Sequence, residues 1–327
     1  MTHKRLISAG FGLAGISLLT GLIIYLGAGR TIHTLQNVSI TGFLVYLAAQ
    51  LLIVAGLALS WRFVLRSRRK GSFALLYWGR LLRDAAGEFL PFSHLGGFIV
   101  GARAISLYGV SIADAAASTI VDITAEFLAE LIFIALGLAI LARRAPHSAL
   151  VMPVAIGLAV AVAGGVGFII AQHGGGRVFR LLATRIAGQG GESAALRMDR
   201  LQLALDEIYQ RPSRVALAAT THLLSWFGTG TAAYFGLRAL GHPITYLSAL
   251  GIEALLHAIL SAGFLVPGRI GVQEAAYAVV GSIFGVPPDL ALSLSLLRRA
   301  RDFIIAAPVL LAWQGIEARR LRVVTPS

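Results

Sequence analysis

The chain contains no cysteine, which excludes disulfide bridges and thiolate-bound metals. It is also short of charge. Asp, Glu, Lys and Arg make up 13% of its 327 residues, where a soluble domain carries about a quarter. It has no glycine-rich loop ending in a phosphate-binding lysine, which argues against direct ATP use. The histidines His94, His222 and His257 lack metal-ligand spacing and read as polar lining, so no metal or other cofactor is expected.

What replaces charge is apolar sequence. Hydrophobic residues make up 57% of the chain and mean hydropathy is +0.79. A helix rising about 1.5 Å per residue crosses the hydrocarbon core in roughly 20 apolar residues. Segments 6–28 and 150–171 carry no charge, 215–237 carries only His222, and 40–65 carries only Arg62 near its end. The first window follows Lys4 and Arg5. It exceeds the roughly 15-residue limit of a secretory signal and reads as a span. These features define a polytopic all-α integral membrane protein.

The net charge of +13 would suggest nucleic acid in a soluble protein. Here the arginines flank membrane segments and face anionic headgroups, so membrane lipid is the expected partner and nucleic acid is not. Basic residues gather in 1–5, 66–70, 172–214 and after Trp313, whereas the loop behind the first span has only Arg30. This pattern places both termini in the cytoplasm, although Arg143 and Arg144 fall on an expected outer loop. One transmembrane domain over 1–327 is expected, with halves 1–171 and 215–327 joined by 172–214. In that connection Leu201, Leu205 and Ile208 recur at helical spacing beside Arg200, Asp206 and Glu207. The spacing predicts an amphipathic helix on the cytoplasmic surface, or a plain tether.

Two regions do not read as simple spans. Segment 73–108 is interrupted by Arg80, Arg83, Asp84 and Glu88, and then by Phe89-Leu90-Pro91-Phe92-Ser93-His94-Leu95-Gly96-Gly97. Segment 244–284 is interrupted by Phe264-Leu265-Val266-Pro267-Gly268-Arg269-Ile270-Gly271. Proline and glycine free backbone groups that lipid cannot satisfy, so such breaks persist inside protein or beside water. The expected architecture is a helical bundle of about six full spans plus two re-entrant helical hairpins arranged as an inverted repeat. Two kinked ordinary spans would give the same pattern.

Charge also appears at membrane depth. Segment 112–141 carries Asp114, Asp122, Glu126 and Glu130, the last three spaced four apart on one face. The last span, 290–313, carries Arg298, Arg299, Arg301 and Asp302. The acidic stripe is the natural counter-charge for these arginines. They form either ion pairs that fix packing or, in the reading taken here, a polar cavity for a charged lipid headgroup. Glu253 and His257 precede the second break, while Arg103 follows the first. Half-helix starts favour an anion such as phosphate, to which Arg103 and Arg269 would add charge-assisted bonds. The candidate substrate-binding residues are Arg103, Asp122, Glu126, Glu130, Arg269, Glu274, Arg298, Arg299 and Arg301. The re-entrant motif residues are Pro91, Gly96, Gly97, Pro267, Gly268 and Gly271. No residue is assigned as catalytic.

Leu90-Pro91, Gly96-Gly97 and Arg103, with Pro267-Gly268-x-x-Gly271-x-x-Glu274 and the arginine-bearing last span, resemble the transmembrane domain of bacterial lysylphosphatidylglycerol synthases. The resemblance covers most of the chain and points to the stand-alone branch of that family. Stretch 90–106 is similar to a hopanoid-biosynthesis-associated branch. The resemblance implies a flippase-like protein of the bacterial inner membrane that handles a polar-headed phospholipid or hopanoid. It implies no aminoacyl transfer, because the soluble catalytic domain is missing. Where the family often has a second glycine after Pro-Gly, this chain has Arg269, whose charge favours anionic or polyol lipids. Two other functions fit the residues: a membrane-embedded lipid transferase using Asp122 or Glu126 as general base, and a non-catalytic scaffold for lipid-biosynthetic enzymes.

Overall fold

The computed structural model describes residues 39–66, 71–89, 93–186, 190–262, 266 and 269–324. The expected span 6–28 and the motif residues Pro91, Pro267 and Gly268 lie outside the described residues. All regular structure among the described residues is helical. The helices are α1 (Ile40–Val64), α2 (Phe73–Phe89), α3 (Ser93–Ser106), α4 (Ile112–Arg144), α5 (Val151–Ile186), α6 (Gly190–Tyr209), α7 (Pro212–Ala239), α8 (Tyr246–Ala262), α9 (Val272–Ile283) and α10 (Pro288–Val324).

Three stretches are long and apolar enough to cross a membrane: α1, α4 and Val151–Ile170 of α5. Along α5, Met152, Ile156, Val160 and Val166 are all exposed. Such a stripe is a liability in water and an ordinary surface in lipid. Helix starts follow local chemistry. Ser39 caps α1 by accepting from the Gly42 N–H at 3.0 Å, and Ser111 caps α4 by accepting from the Asp114 N–H at 3.0 Å. Pro212 and Pro288 open α7 and α10, where a missing N–H costs nothing. Arg143 and Arg144, expected on a loop, instead close the last turn of α4, where positive charge meets the negative end of the helix dipole.

The connection differs from its expectation. Helix α5 runs on to Ile186 as one element, and α6 follows it. The apolar face of α6 is covered by protein: Ala204, Leu205 and Ile208 are buried in a cluster with Trp61, Val121 and Ala218. Packing against α1, α4 and α7 gives this face a better-defined partner than the bilayer surface does. A larger cluster joins Phe133 and Ile140 of α4 to Leu237 of α7, Leu255 of α8, Tyr277 of α9 and Leu294 of α10.

Helices α2 and α3 hold 17 and 14 residues, and α8 and α9 hold 17 and 12. At about 1.5 Å per residue, none reaches the roughly 30 Å of a hydrocarbon core. Each pair folds back on itself. Gly97 of α3 abuts Arg83 and Gly87 of α2, Gly101 abuts Gly79 and Arg83, and Ile105 reaches Gly79, so the two helices run antiparallel. Glu253 meets Tyr277 and Gly251 meets Phe284, which makes α8 and α9 antiparallel as well. The α2–α3 approach depends on Gly97, where a Cβ would collide with the Arg83 carbonyl oxygen and stand 2.9 Å from the Gly87 nitrogen. Gly97→Ala is expected to cost about 1–3 kcal/mol of stability through overpacking, readable as a lowered unfolding temperature in detergent. An unchanged melting curve would mean that the hairpin is looser than described.

Candidate functional site

On α2, Arg80 and Arg83 are one helical turn apart and project toward α4. Arg80 forks onto Glu126, with Nη2 donating to Oε1 at 2.8 Å and Nη1 to Oε2 at 3.1 Å. Its Nε meets Asp84 at 2.9 Å. Arg83 donates to Asp122 Oδ2 at 2.6 Å and also to Glu126. The other oxygen of Asp122 lies 2.9 Å from His222 Nε2 of α7 and 3.1 Å from the Ser60 hydroxyl of α1. Asp122 is fully buried. A buried carboxylate persists only when its hydrogen-bonding capacity is met, and here three other helices meet it.

The acidic stripe was expected to neutralise the arginines of the last span; it does not. Its partners for Asp122 and Glu126 come from α2. Arg298 and Arg299 of α10 find theirs in the second hairpin. Arg298 donates to Glu253 at 3.0 Å and lies 3.1 Å from the Tyr277 hydroxyl, which itself donates to Glu253. Arg299 donates to Glu274 and to the Arg269 carbonyl, the latter at 3.1 Å. Glu274 also accepts from the Gly271 N–H at 2.8 Å and from Ser295 at 3.1 Å. Gly271 has φ +79°, a conformation glycine adopts without strain, and this turn aims its N–H back at Glu274. Arg301 pairs with the adjacent Asp302 at 2.8 Å and stacks over the Tyr46 ring at 4.8 Å. Glu130, the third member of the stripe, accepts from Ser261 at 2.7 Å and faces His257 Nδ1 at 3.5 Å.

The two halves thus use opposite signs. In the first, a hairpin carrying arginines meets a following helix carrying carboxylates; in the second, a hairpin carrying carboxylates meets a following helix carrying arginines. Between the two clusters lies a cavity of about 410 Å³. Among the described residues, its charged walls comprise the arginines Arg80, Arg83, Arg269, Arg298 and Arg301 and the carboxylates Asp84, Glu88, Glu126, Glu130 and Asp302. Apolar groups, including Ile53, Leu57, Phe98, Phe127 and Ile305, complete the walls, together with the polar side chains of Gln50, Thr229 and His257 and with Trp226.

Of the candidate residues, Glu126, Glu130, Arg269, Arg298 and Arg301 line this cavity, while Asp122, Glu274 and Arg299 stand behind the lining as partners. Arg103 is not brought to it. Its guanidinium is 55% exposed and forks onto Glu317 at 2.9 Å, a bond that holds the Glu317 carboxyl below its usual range. Arg103 follows Gly101 by two residues, about 200° around the helix, so it points away from α2. Gly96 and Gly97 lie within α3, and Gly271 forms the cap of α9. Asp122, Glu126 and His222 offer three ligand atoms within 4.8 Å of one another. Arg80 and Arg83 already hold these carboxylates, and their positive charges oppose a metal cation at the same point.

Comparison with protein-family models matches the lysylphosphatidylglycerol synthase TM region over residues 12–309. The chain belongs to that family. It is accordingly a multi-pass membrane protein of a family tied to lipid-related processes. Searches of curated proteins and of solved structures return no match. The family match spans both hairpins, so the paired ionic clusters and the cavity between them lie wholly within the lysylphosphatidylglycerol synthase TM region.

Proposed function

We propose that this family member moves or handles a polar-headed membrane lipid, whose headgroup enters the cavity while its apolar tail stays in the bilayer. The observation that carries the reading is a cavity of about 410 Å³ with charges of both signs, bounded by two hairpins of sub-span helices. In lipid, such charges persist only against each other or beside water. Helices α2–α3 and α8–α9 are re-entrant hairpins in this reading, the first entering from the cytoplasm and the second from outside. The opposite-sign arrangement of the halves supports an inverted repeat, in which one mobile unit rocks against the other around a central site. The whole chain acts as one domain of about six full spans in a bacterial inner membrane, with both termini cytoplasmic. Stretch 90–106 supports a place in the hopanoid-linked branch. A transferase base fits less well, because Asp122 and Glu126 are each held by arginine.

The absence of cysteine makes the cavity directly testable. Thr229 lines it and donates its hydroxyl only to the Trp226 carbonyl, at 2.7 Å. Thr229→Cys is expected to react with a membrane-impermeant maleimide in reconstituted membranes, and a lipid whose headgroup fills the cavity is expected to slow that reaction. Reaction only with membrane-permeant reagents would rule out a headgroup site open to water.

A further inference from the structure

Three buried polar atoms on side chains that line the cavity stand out. Gln50 Oε1 of α1, Trp226 Nε1 of α7 and His257 Nε2 of α8 are buried and find no hydrogen-bond partner among the described residues. All three side chains line the same cavity. Buried donors and acceptors are ordinarily satisfied, so three orphans on side chains that line one cavity mark a place where a ligand supplies the missing bonds.

Their chemistry is specific. Trp226 Nε1 only donates and Gln50 Oε1 only accepts. His257 turns Nδ1 toward Glu130 at 3.5 Å, which leaves Nε2 as its second polar atom. The set therefore asks for a group that both accepts and donates. Adjacent hydroxyls do both. A phosphate offers acceptors alone and leaves Gln50 Oε1 unmet, and a quaternary ammonium offers neither. The charged walls agree, since among the described residues five arginines stand against five carboxylates and demand no net charge from the headgroup. The rings are held in place: Trp226 and His257 pack at 4.5 Å between centroids, and Phe133 meets His257 edge-on at 5.6 Å.

We infer that Gln50, Trp226 and His257 form a hydroxyl-binding subsite that selects a neutral polyhydroxyl headgroup, such as that of a glycosyl or polyol lipid. The inference rests on the lipid-handling reading and names its substrate class. The test uses the full chain in nanodiscs, with monoglucosyl diacylglycerol, diacylglycerol of the same acyl chains, phosphatidylethanolamine and phosphatidylcholine as probes and free glucose as competitor. The wild type is expected to retain the glucosyl lipid over the other three. Trp226→Phe, which keeps the ring contact with His257, and Gln50→Met are each expected to weaken that retention on the order of tenfold, the size of one lost hydrogen bond. Displacement by millimolar glucose would support the same hydroxyl chemistry with a soluble polyol as its source. Equal retention of all four lipids, preference for phosphatidylethanolamine, or variants matching the wild type would overturn the subsite. Headgroup-dependent retention without movement between leaflets would sink translocation and leave the subsite standing. Movement that is unaffected by Trp226→Phe, with no headgroup preference, would do the reverse.

Discussion

Arg83→Ala is expected to destabilise the protein by about 3–5 kcal/mol, the range for removing one partner of a buried ion pair. The guanidinium bridges Asp122 and Glu126, and the Asp122 side chain has 0% exposure. Without Arg83, Asp122 keeps His222 and Ser60 but loses its close cation. Arg80 does not replace it, because Arg80 lies 3.6 Å from Asp122 and is committed to Glu126 and Asp84. Arg83→Lys is expected to recover only part of the loss, since an ammonium lacks the planar fork that reaches two carboxylates at once. The double variant Arg83→Ala/Asp122→Asn is expected to be more stable than Arg83→Ala alone, because it removes the stranded charge. Thermal unfolding in detergent reads all three. Additive losses in the double variant would show that the two residues are not coupled.

Glu274→Ala is the second large effect. One carboxylate there satisfies the Gly271 N–H, the Ser295 hydroxyl and the Arg299 guanidinium. Its removal orphans a helix-start N–H and takes from Arg299 its carboxylate partner. A loss of about 3 kcal/mol or more is expected from the broken ion pair and the unmet donors together. The damage should be local before it is global. The turn into α9 loses its cap, so proteolysis in the 263–271 segment is expected to speed up at temperatures where the rest of the chain stays folded. Glu274→Gln keeps an acceptor for Gly271 and is expected to fall between the wild type and alanine. Unchanged proteolysis in Glu274→Ala would show that the cap does not hold the break.

Much of this arrangement was legible in the sequence. The four-residue spacing of Asp122, Glu126 and Glu130 placed them on one face, as found. What spacing alone did not show is the drift of about 40° per four residues. The drift turns Asp122 into the protein, leaves Glu126 between α2 and the cavity, and brings Glu130 to the cavity wall. The same geometry separates Arg298 and Arg301, which line the cavity, from Arg299, which points to Glu274. The choice of partners was hidden. Arg80 and Arg83 stood out only as interruptions of an apolar run, because nothing local in the sequence reports that α2, one arm of the expected hairpin, packs against α1 and α10 with its arginines reaching α4. Arg103 was assigned to the site for its nearness to the break in sequence, and its helix face takes it elsewhere. Gln50 and Trp226 gave no signal, since an isolated amide and an indole in apolar helices are unremarkable until three helices bring them to one wall.

Movement of labelled lipid between the leaflets of proteoliposomes tests whether the cavity handles lipid. Arg298 is the residue to remove. It lines the cavity, and its loss leaves the buried Glu253 carboxylate with the Tyr277 hydroxyl, so movement in Arg298→Gln is scored on protein whose unfolding curve shows that it has folded. Protein-dependent movement of at least one labelled lipid is expected, reduced at least about tenfold in Arg298→Gln, a loss of about 1.4 kcal/mol or more of transition-state stabilisation. No movement of any phospholipid, glycosyl lipid or hopanoid by the wild type, or equal movement by the variant, would contradict it.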